Sequence, residues 1–157
     1  MRSTTTQFLG VSIFAFFCVS TNAATFEAKC GNGRIVASGS RIERFDGNSS
    51  SGRQVYSPPN AHHTVVGLAA CGKGVVTAFR DDRSNTDWAY FSLDCAFVGG
   101  GGKTVHAYKG SNHRITSLEP HPAGGVSTTF ENVRNGKKST YHSPDCLNIG
   151  GGGNTTR

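Results

Sequence analysis

Short runs of alternating apolar and polar residues make up most of this chain. In the run VVTAF, the side chains of Val75, Thr77 and Phe79 share one face of an extended strand, because successive side chains point to opposite faces. The run VSTTF at 126–130 repeats the pattern, and both runs are rich in β-branched and aromatic residues. After the first residues, no stretch shows a convincing helical period. The pattern predicts an all-β protein.

The middle of the chain is repeated near its end. Residues 74–104 align with residues 125–155 without a gap and with 14 identities in 31 positions. The match extends backwards, since TVVGL at 64–68 precedes the first copy and RITSL at 114–118 precedes the second. Self-similarity at a fixed offset indicates a chain built from related structural units.

A third, more divergent copy precedes both. It consists of RIVAS, SRIERF and QVYSPP, which fall within residues 34–59. The sequence therefore predicts three internal repeats of short antiparallel strands within one domain over residues 24–157. The predicted units are residues 25–62, 63–103 and 104–157.

The repeat also predicts how the two ends of the chain meet. The segment TFEAKCGNGRIVAS at 25–38 matches TVHAYKGSNHRITS at 104–117 with one residue deleted. The last unit reaches Asn154 without a further copy of this strand. We therefore expect the N-terminal strand, TFEAKC, to complete the last repeat and to leave no open sheet edge.

Units of four short antiparallel strands resemble the blades of β-propellers and of lectin-type four-stranded repeats. Three such units would also suit a pseudo-threefold barrel of the β-trefoil kind, and several chains sharing one ring would make a homo-oligomer. The segment NHRITS at 112–117 is similar to the calcium motif of the βγ-crystallin Greek key. His113 interrupts that motif, and the aromatic corner of that family is missing after Phe79 and Phe130.

Two runs of four glycines, at 99–102 and 150–153, follow the repeated cysteines. Glycine lets another backbone or a ligand approach closely, so each run suits either a loop squeezed between strands or a loop that binds a partner. Neither run opens a predicted helix, as the glycine-rich part of a phosphate-binding loop does, although Lys103-Thr104 follows the first run. A nucleotide site is therefore not expected.

Carboxylates, aromatic rings and glycine amides recur together around these runs. This mixture suits a sugar ring, which presents a hydroxyl edge and an apolar face. The candidate ligand-binding residues are Trp88, Tyr90, Asp94, Gly100, Gly101, Tyr141, Asp145, Asn148, Gly151 and Gly152. The same residues also have a structural interpretation, in which the aspartates cap turns, the tyrosines belong to the core and Trp88 packs locally.

The chain is basic, with 16 Lys and Arg against 10 Asp and Glu and a formal net charge of +6. The cations are scattered, and Lys137-Lys138 is their only adjacent pair, so a solvated surface is a better interpretation than a nucleic-acid site.

A non-enzymatic, lectin-like protein that binds extracellular glycans or cell-wall polysaccharide is the first functional interpretation of the sequence. A basic antimicrobial or host-directed toxin or effector is the second interpretation.

A small hydrolase such as a ribonuclease is the third, because the chain carries six histidines. No histidine recurs in all three units, and no known nucleophile or metal-protease motif is present. We therefore predict no catalytic residues. No cofactor is expected either, with calcium on Asp81, Asp82 and Asp87 as the alternative.

The first 23 residues have the layout of a secretory signal peptide. Arg2 precedes an apolar run over 8–19, and small residues precede an expected cleavage after Ala23. The run is short for a membrane span, and nothing later reaches that length. We expect a secreted protein, in which Asn48 and Asn154 are glycosylation sites if the source glycosylates its exports.

Four cysteines follow the signal segment, and an even number in an exported domain predicts two disulfides. Their spacing contains no CxxC, which argues against a zinc site. In a four-stranded meander, the first and third turns lie at the same end of the sheet. We therefore predict a bond between Cys71 and Cys95, and a second between Cys30 and Cys146 that joins the two ends.

Overall fold

The computed structural model describes residues 23–56, 62–84, 86–93, 95, 103–108, 112–150 and 154–155, with the backbone alone for 103–108 and 154–155. Over these ranges the protein is all-β, as predicted, and its strands form three antiparallel sheets. No helix in this part of the chain is long and apolar enough to cross a membrane. The predicted signal segment falls almost wholly outside these ranges.

Each sheet is a meander whose strand order follows the chain. The first sheet contains Thr25–Cys30 (β1), Gly33–Ser38 (β2), Arg41–Asp46 (β3) and Arg53–Tyr56 (β4). The middle sheet contains His63–Cys71 (β5), Gly74–Asp81 (β6), Thr86–Ser92 (β7) and Lys103–Tyr108 (β8). The last sheet contains His113–Pro120 (β9), Val126–Asn132 (β10), Lys138–Ser143 (β11) and Asn154–Thr155 (β12).

Two-residue turns join β1 to β2 and β5 to β6. Gly31 and Gly72 occupy the first position of these turns with φ of 59° and 58°. A positive φ at the first turn residue is the geometry that matches the twist of a tight hairpin, and it favours glycine. The motifs CGNG and CGKG therefore place a cysteine at the same point of two successive sheets.

The middle sheet lies between the other two and is buried on both faces. Val75 and Phe79 belong to a core shared with the first sheet, where Ile35 is fully buried. Val76 and Ala78, on the opposite face, belong to a core shared with the last sheet. A strand buried on both sides needs continuous apolar character, which explains why β6 is more apolar than its neighbours.

The sheets pack head to tail. Val126 and Phe130 of the last sheet face the middle sheet, as their counterparts Val75 and Phe79 of the middle sheet face the first. The middle sheet thus presents one apolar face to the first sheet and its other apolar face to the last sheet.

The outer faces of the two end sheets are polar. Ser127 and Thr129 of the last sheet stand where the middle sheet has Val76 and Ala78. On the outer face of the first sheet, Arg34 forms an ion pair with Glu27 and lies 4.5 Å from the centre of the Phe45 ring. Polar outer faces are typical of the terminal units of a repeat array, because those faces meet solvent.

The predicted disulfide pairing is wrong. The bonds join Cys30 to Cys95 and Cys71 to Cys146, with Cα atoms 6.1 and 6.5 Å apart. Cys71 ends β5, and Cys95 follows the end of β7, which lies two strand positions away in the same sheet. That separation is roughly 10 Å, which exceeds the reach of a disulfide. Each bond instead links the first turn of one sheet to the segment after the third strand of the next sheet.

The predicted closure by the N-terminal strand is also wrong. β1 pairs with β2 in its own sheet, and the edge of the last sheet beyond β11 is occupied by β12, where His142 pairs with Asn154. The fourth strand of the middle sheet, β8, lies after the glycine run, so the last sheet begins at His113 rather than at residue 104. The match of 25–38 with 104–117 compared a first strand with a fourth strand.

Candidate functional site

An aromatic pair recurs in the middle and last sheets. Phe79 and Tyr90 meet edge to face with ring centres 6.1 Å apart and an angle of 69°. Phe130 and Tyr141 repeat this arrangement at 5.8 Å and 71°. The edge-to-face contact is a favourable geometry for aromatic rings. The two sheets therefore build the same aromatic corner from corresponding strands.

In the middle sheet, Trp88 stands beside this corner. It lies opposite Phe79 in the β6–β7 register. The ring of His63 meets the indole edge to face at 5.2 Å, and the ring of Tyr56 from the first sheet lies 5.0 Å from that of Phe79. Trp88 and Tyr90 are half-buried between the first and middle sheets. Both predicted ligand-binding residues therefore contribute to inter-sheet packing.

The last sheet has a serine where the middle sheet has its tryptophan. Ser139 lies opposite Phe130 in the β10–β11 register, as Trp88 lies opposite Phe79. A partly enclosed cavity of about 140 Å³ occurs there. Its lining consists of His113, Phe130, Ser139, Tyr141 and Gly150. The cavity thus lies where the corresponding corner of the middle sheet is filled by an indole ring.

The cavity combines aromatic surface with hydrogen-bonding groups. Phe130 and Tyr141 supply apolar ring surface, and Ser139 and His113 supply a hydroxyl and an imidazole. A cavity of about 150 Å³ holds a benzene-sized ring. No acidic, Lys or Arg side chain is among the lining residues. The site therefore suits one uncharged ring that has an apolar face and polar substituents.

Asp145, another predicted ligand-binding residue, orders its own turn. Its Oδ1 accepts hydrogen bonds from the backbone N–H of Leu147 at 2.9 Å and from the Ser143 hydroxyl at 3.1 Å. These donors, the Leu147 N–H first among them, hold the pKa of the Asp145 carboxyl below its usual value. Asn148, further along this turn, is exposed. The structural interpretation of Asp145 is the one that these contacts favour.

The predicted site residues that the structure describes lie in separate places. Tyr141 lines the cavity together with the first glycine of the last run, Gly150. Trp88 and Tyr90 lie on the face of the middle sheet that packs against the first sheet. The remaining predicted residues, Asp94, Gly100, Gly101, Gly151 and Gly152, lie outside the described ranges.

Sequence reasoning missed three residues of the cavity, His113, Phe130 and Ser139. A signal for them exists in the repeat alignment, because Trp88 faces Ser139 within two otherwise similar strands. A serine in place of a large ring leaves space beside the repeated Phe–Tyr corner, and the neighbouring side chains line that space. The mismatch between the two copies therefore marks the site better than their shared glycines do.

Two of the three acids proposed as calcium ligands, Asp81 and Asp87, have other partners. Both carboxylate oxygens of Asp87 accept hydrogen bonds from Arg80 at 2.9 Å, and Oδ2 also accepts one from the Ile115 N–H at 2.6 Å. Asp81 Oδ1 accepts the backbone N–H of Arg83 at 2.8 Å. Within the part of the chain that the structure describes, no three His, Cys, Asp or Glu residues converge as a metal site.

Two histidine contacts arise that the sequence did not indicate. The Nε2 atom of His63 lies 3.7 Å from Oδ2 of Asp81. The rings of His121 and His142 stack with centres 3.7 Å apart, and Nε2 of His142 lies 2.8 Å from the carbonyl oxygen of Gly124. His63 thus lies beside a carboxylate and an indole ring, and His142 lies beside His121 and a backbone carbonyl.

The chain has no match among protein-family models, and no curated protein matches it. The geometry of the last sheet therefore carries the functional argument.

Proposed function

We propose that this protein is an exported, non-enzymatic recognition protein that binds carbohydrate. The observation that carries the proposal is the cavity of the last sheet, where Ser139 replaces the tryptophan of the middle sheet. The cavity keeps the aromatic corner of Phe130 and Tyr141 and adds polar groups at its wall. One sugar ring of a longer chain is the ligand that this combination suits best.

A sugar ring matches the cavity in both polarity and shape. Its axial C–H face packs on aromatic side chains, while its hydroxyls hydrogen-bond to hydroxyl, imidazole and phenol groups. The imidazole of His113 and the hydroxyl of Ser139 supply such groups on the lining. A lining without Lys, Arg or acidic side chains also favours a neutral ring over a phosphorylated one, because burying a charge without a partner is costly.

Two disulfides support an extracellular setting, since such bonds persist in oxidising environments. The partners we propose are therefore extracellular glycans or cell-wall polysaccharides. We also propose that the head-to-tail stack is an open, propeller-like array of three blades with polar end faces. In that architecture the partly enclosed cavity would lie beside Phe130, on the face of the last sheet that packs against the middle sheet.

A glycan-array screen of the oxidised chain without residues 1–23 tests the proposal, with Ser139→Trp as the decisive variant. The added indole reproduces the side chain of the middle sheet and fills the cavity while the aromatic corner stays in place. We expect selective binding by the wild type and at least a tenfold loss in Ser139→Trp. Ser51→Trp, which adds the same side chain at an exposed position before β4, is the matched control and should bind normally.

Two outcomes would overturn the proposal. Equal binding by the wild type and Ser139→Trp would place recognition away from the cavity. Absence of glycan binding by a folded, correctly paired sample would remove the carbohydrate function itself. Circular dichroism and a non-reducing peptide map of each variant establish that the compared samples share one fold.

A further inference from the structure

A groove lies between the first turns of the first and middle sheets. It has a volume of about 540 Å³. The lining residues are Lys29, Gly31, Asn32, Ala70, Gly72 and Lys73. The two turns are the repeated CGNG and CGKG motifs, which the head-to-tail packing of the sheets brings side by side. We call this surface the turn groove.

The turn groove carries two unneutralised positive charges. Lys29 and Lys73 are exposed, and neither is within ion-pair distance of an acidic side chain in the described ranges. By contrast, Arg41 and Arg44 of the first sheet each pair with an acid at 2.6 Å. Two like charges facing one groove without acids create a local positive potential that attracts anions.

The turn backbone leaves room for a ligand. A side-chain carbon added to Gly31 or Gly72 would meet no atom within 4 Å, so open space surrounds both glycines. Glycine at these positions permits close approach of a ligand to the backbone. The side-chain amide of Asn32 adds a hydrogen-bond donor on the same lining. Ammonium and amide donors together suit a carboxylate or sulfate group.

We infer that the turn groove binds the anionic groups of an acidic polysaccharide, either uronate carboxylates or sulfate esters. This inference rests on the proposed carbohydrate function and narrows its substrate class to a charged polymer. One neutral ring would occupy the cavity of the last sheet, and an acidic residue elsewhere on the polymer would occupy the turn groove. Two weak contacts on one polymer strengthen each other through a raised effective concentration.

The lining favours an acidic polysaccharide over other polyanions. Single-stranded nucleic acid is held largely by stacking on aromatic side chains, and the turn groove has none. Membrane surfaces are bound through apolar anchors beside the cations. The exposed large apolar residues of the described ranges, Leu93 and Val133, do not line the groove.

Isothermal titration with polygalacturonate, heparin and a neutral glucan tests the inference. We compare the wild type, Lys29→Gln/Lys73→Gln and the control Arg134→Gln/Lys137→Gln, which removes the same charge from the exposed β10–β11 turn. We expect the groove variant to bind one or both acidic polymers at least tenfold more weakly, with a smaller salt dependence. The control variant should change affinity less than threefold.

The outcomes separate this inference from the proposed function. Equal losses of affinity in the groove variant and the control variant would show a general effect of net charge. That result would overturn the inference that the turn groove binds the polymer. Acidic-polymer binding that requires Lys29 and Lys73 but is unaffected by Ser139→Trp would support the groove and contradict the cavity. Binding of polygalacturonate alone would assign the carboxylate as the bound group, and binding of heparin alone would assign the sulfate. Binding to phosphatidylserine vesicles without polysaccharide binding would overturn the polysaccharide assignment.

Discussion

Asp87 of the middle sheet accepts a hydrogen bond from the backbone N–H of Ile115 in the last sheet, at 2.6 Å. Arg80 completes the contact, because it donates to Asp87 and to the carbonyl oxygen of Ile115 at 3.0 Å. The Asp87 side chain is only 2% exposed. Hydrogen bonding to Asp87 raises the pKa of the Arg80 guanidinium. The Arg80–Asp87 ion pair therefore satisfies both the backbone N–H and the carbonyl oxygen of Ile115, which lies in the first strand of the neighbouring sheet.

We predict that Asp87→Ala destabilises the protein by about 3–5 kcal/mol, because it leaves Arg80 without its buried partner and the Ile115 N–H unsatisfied. Urea unfolding at pH 7 measures the change. The matched control is Lys138→Ala, since Lys138 and Glu131 stand at the corresponding positions of the last sheet but pair at 3.8 Å near the surface. That change should cost less than about 1 kcal/mol. Similar costs for both variants would contradict the role given to Asp87.

The turn carboxylates predict how stability changes with pH. Backbone N–H donors hold the pKa of Asp81 and Asp145 below the usual value, chiefly those of Arg83 and Leu147. Their contribution is therefore present above the unfolded pKa of about 4 and is lost as the pH falls through the lower folded value. Urea unfolding of the wild type and Asp145→Asn should show a difference at pH 7 that shrinks at pH 3. A pH-independent difference would contradict this assignment.

We expect the two inter-sheet disulfides to stabilise the protein to a similar extent. Removal of Cys71–Cys146 by double serine substitution should cost about 4 kcal/mol by chain entropy, and removal of Cys30–Cys95 a similar amount. Their sequence separations are 75 and 65 residues. Thermal unfolding measures the costs, and a non-reducing peptide map identifies the bonds. A map that links Cys71 to Cys95 would contradict the head-to-tail packing.

The all-β class was predictable because alternation in β6 and β10 is a local property of the sequence. Disulfide pairing was not, because Cys30 and Cys95 meet only through the packing of one sheet on the next. The role of β1 was misassigned for a related reason. TFEAKC resembles a fourth strand in sequence, but its place is set by the hairpin at Gly31, which pairs it with β2.

The candidate site was predictable only in part. Tyr141, which the sequence indicated as an aromatic residue near the last glycine run, lines the cavity. The cavity exists because Ser139 has a small side chain where the middle sheet has the indole of Trp88. A small side chain is not a recognisable sequence motif. Trp88 was a predicted ligand-binding residue, yet the informative member of the Trp88/Ser139 difference is the serine.

The proposed carbohydrate binding depends most directly on the cavity of the last sheet. A ¹H–¹⁵N NMR titration of the wild type and Ser139→Trp with the strongest array glycan tests it. We predict saturable shifts of the amides of His113, Phe130, Ser139 and Tyr141 in the wild type, and none at these strands in Ser139→Trp. Shifts confined to other strands, or unchanged saturation of the variant, would contradict the account.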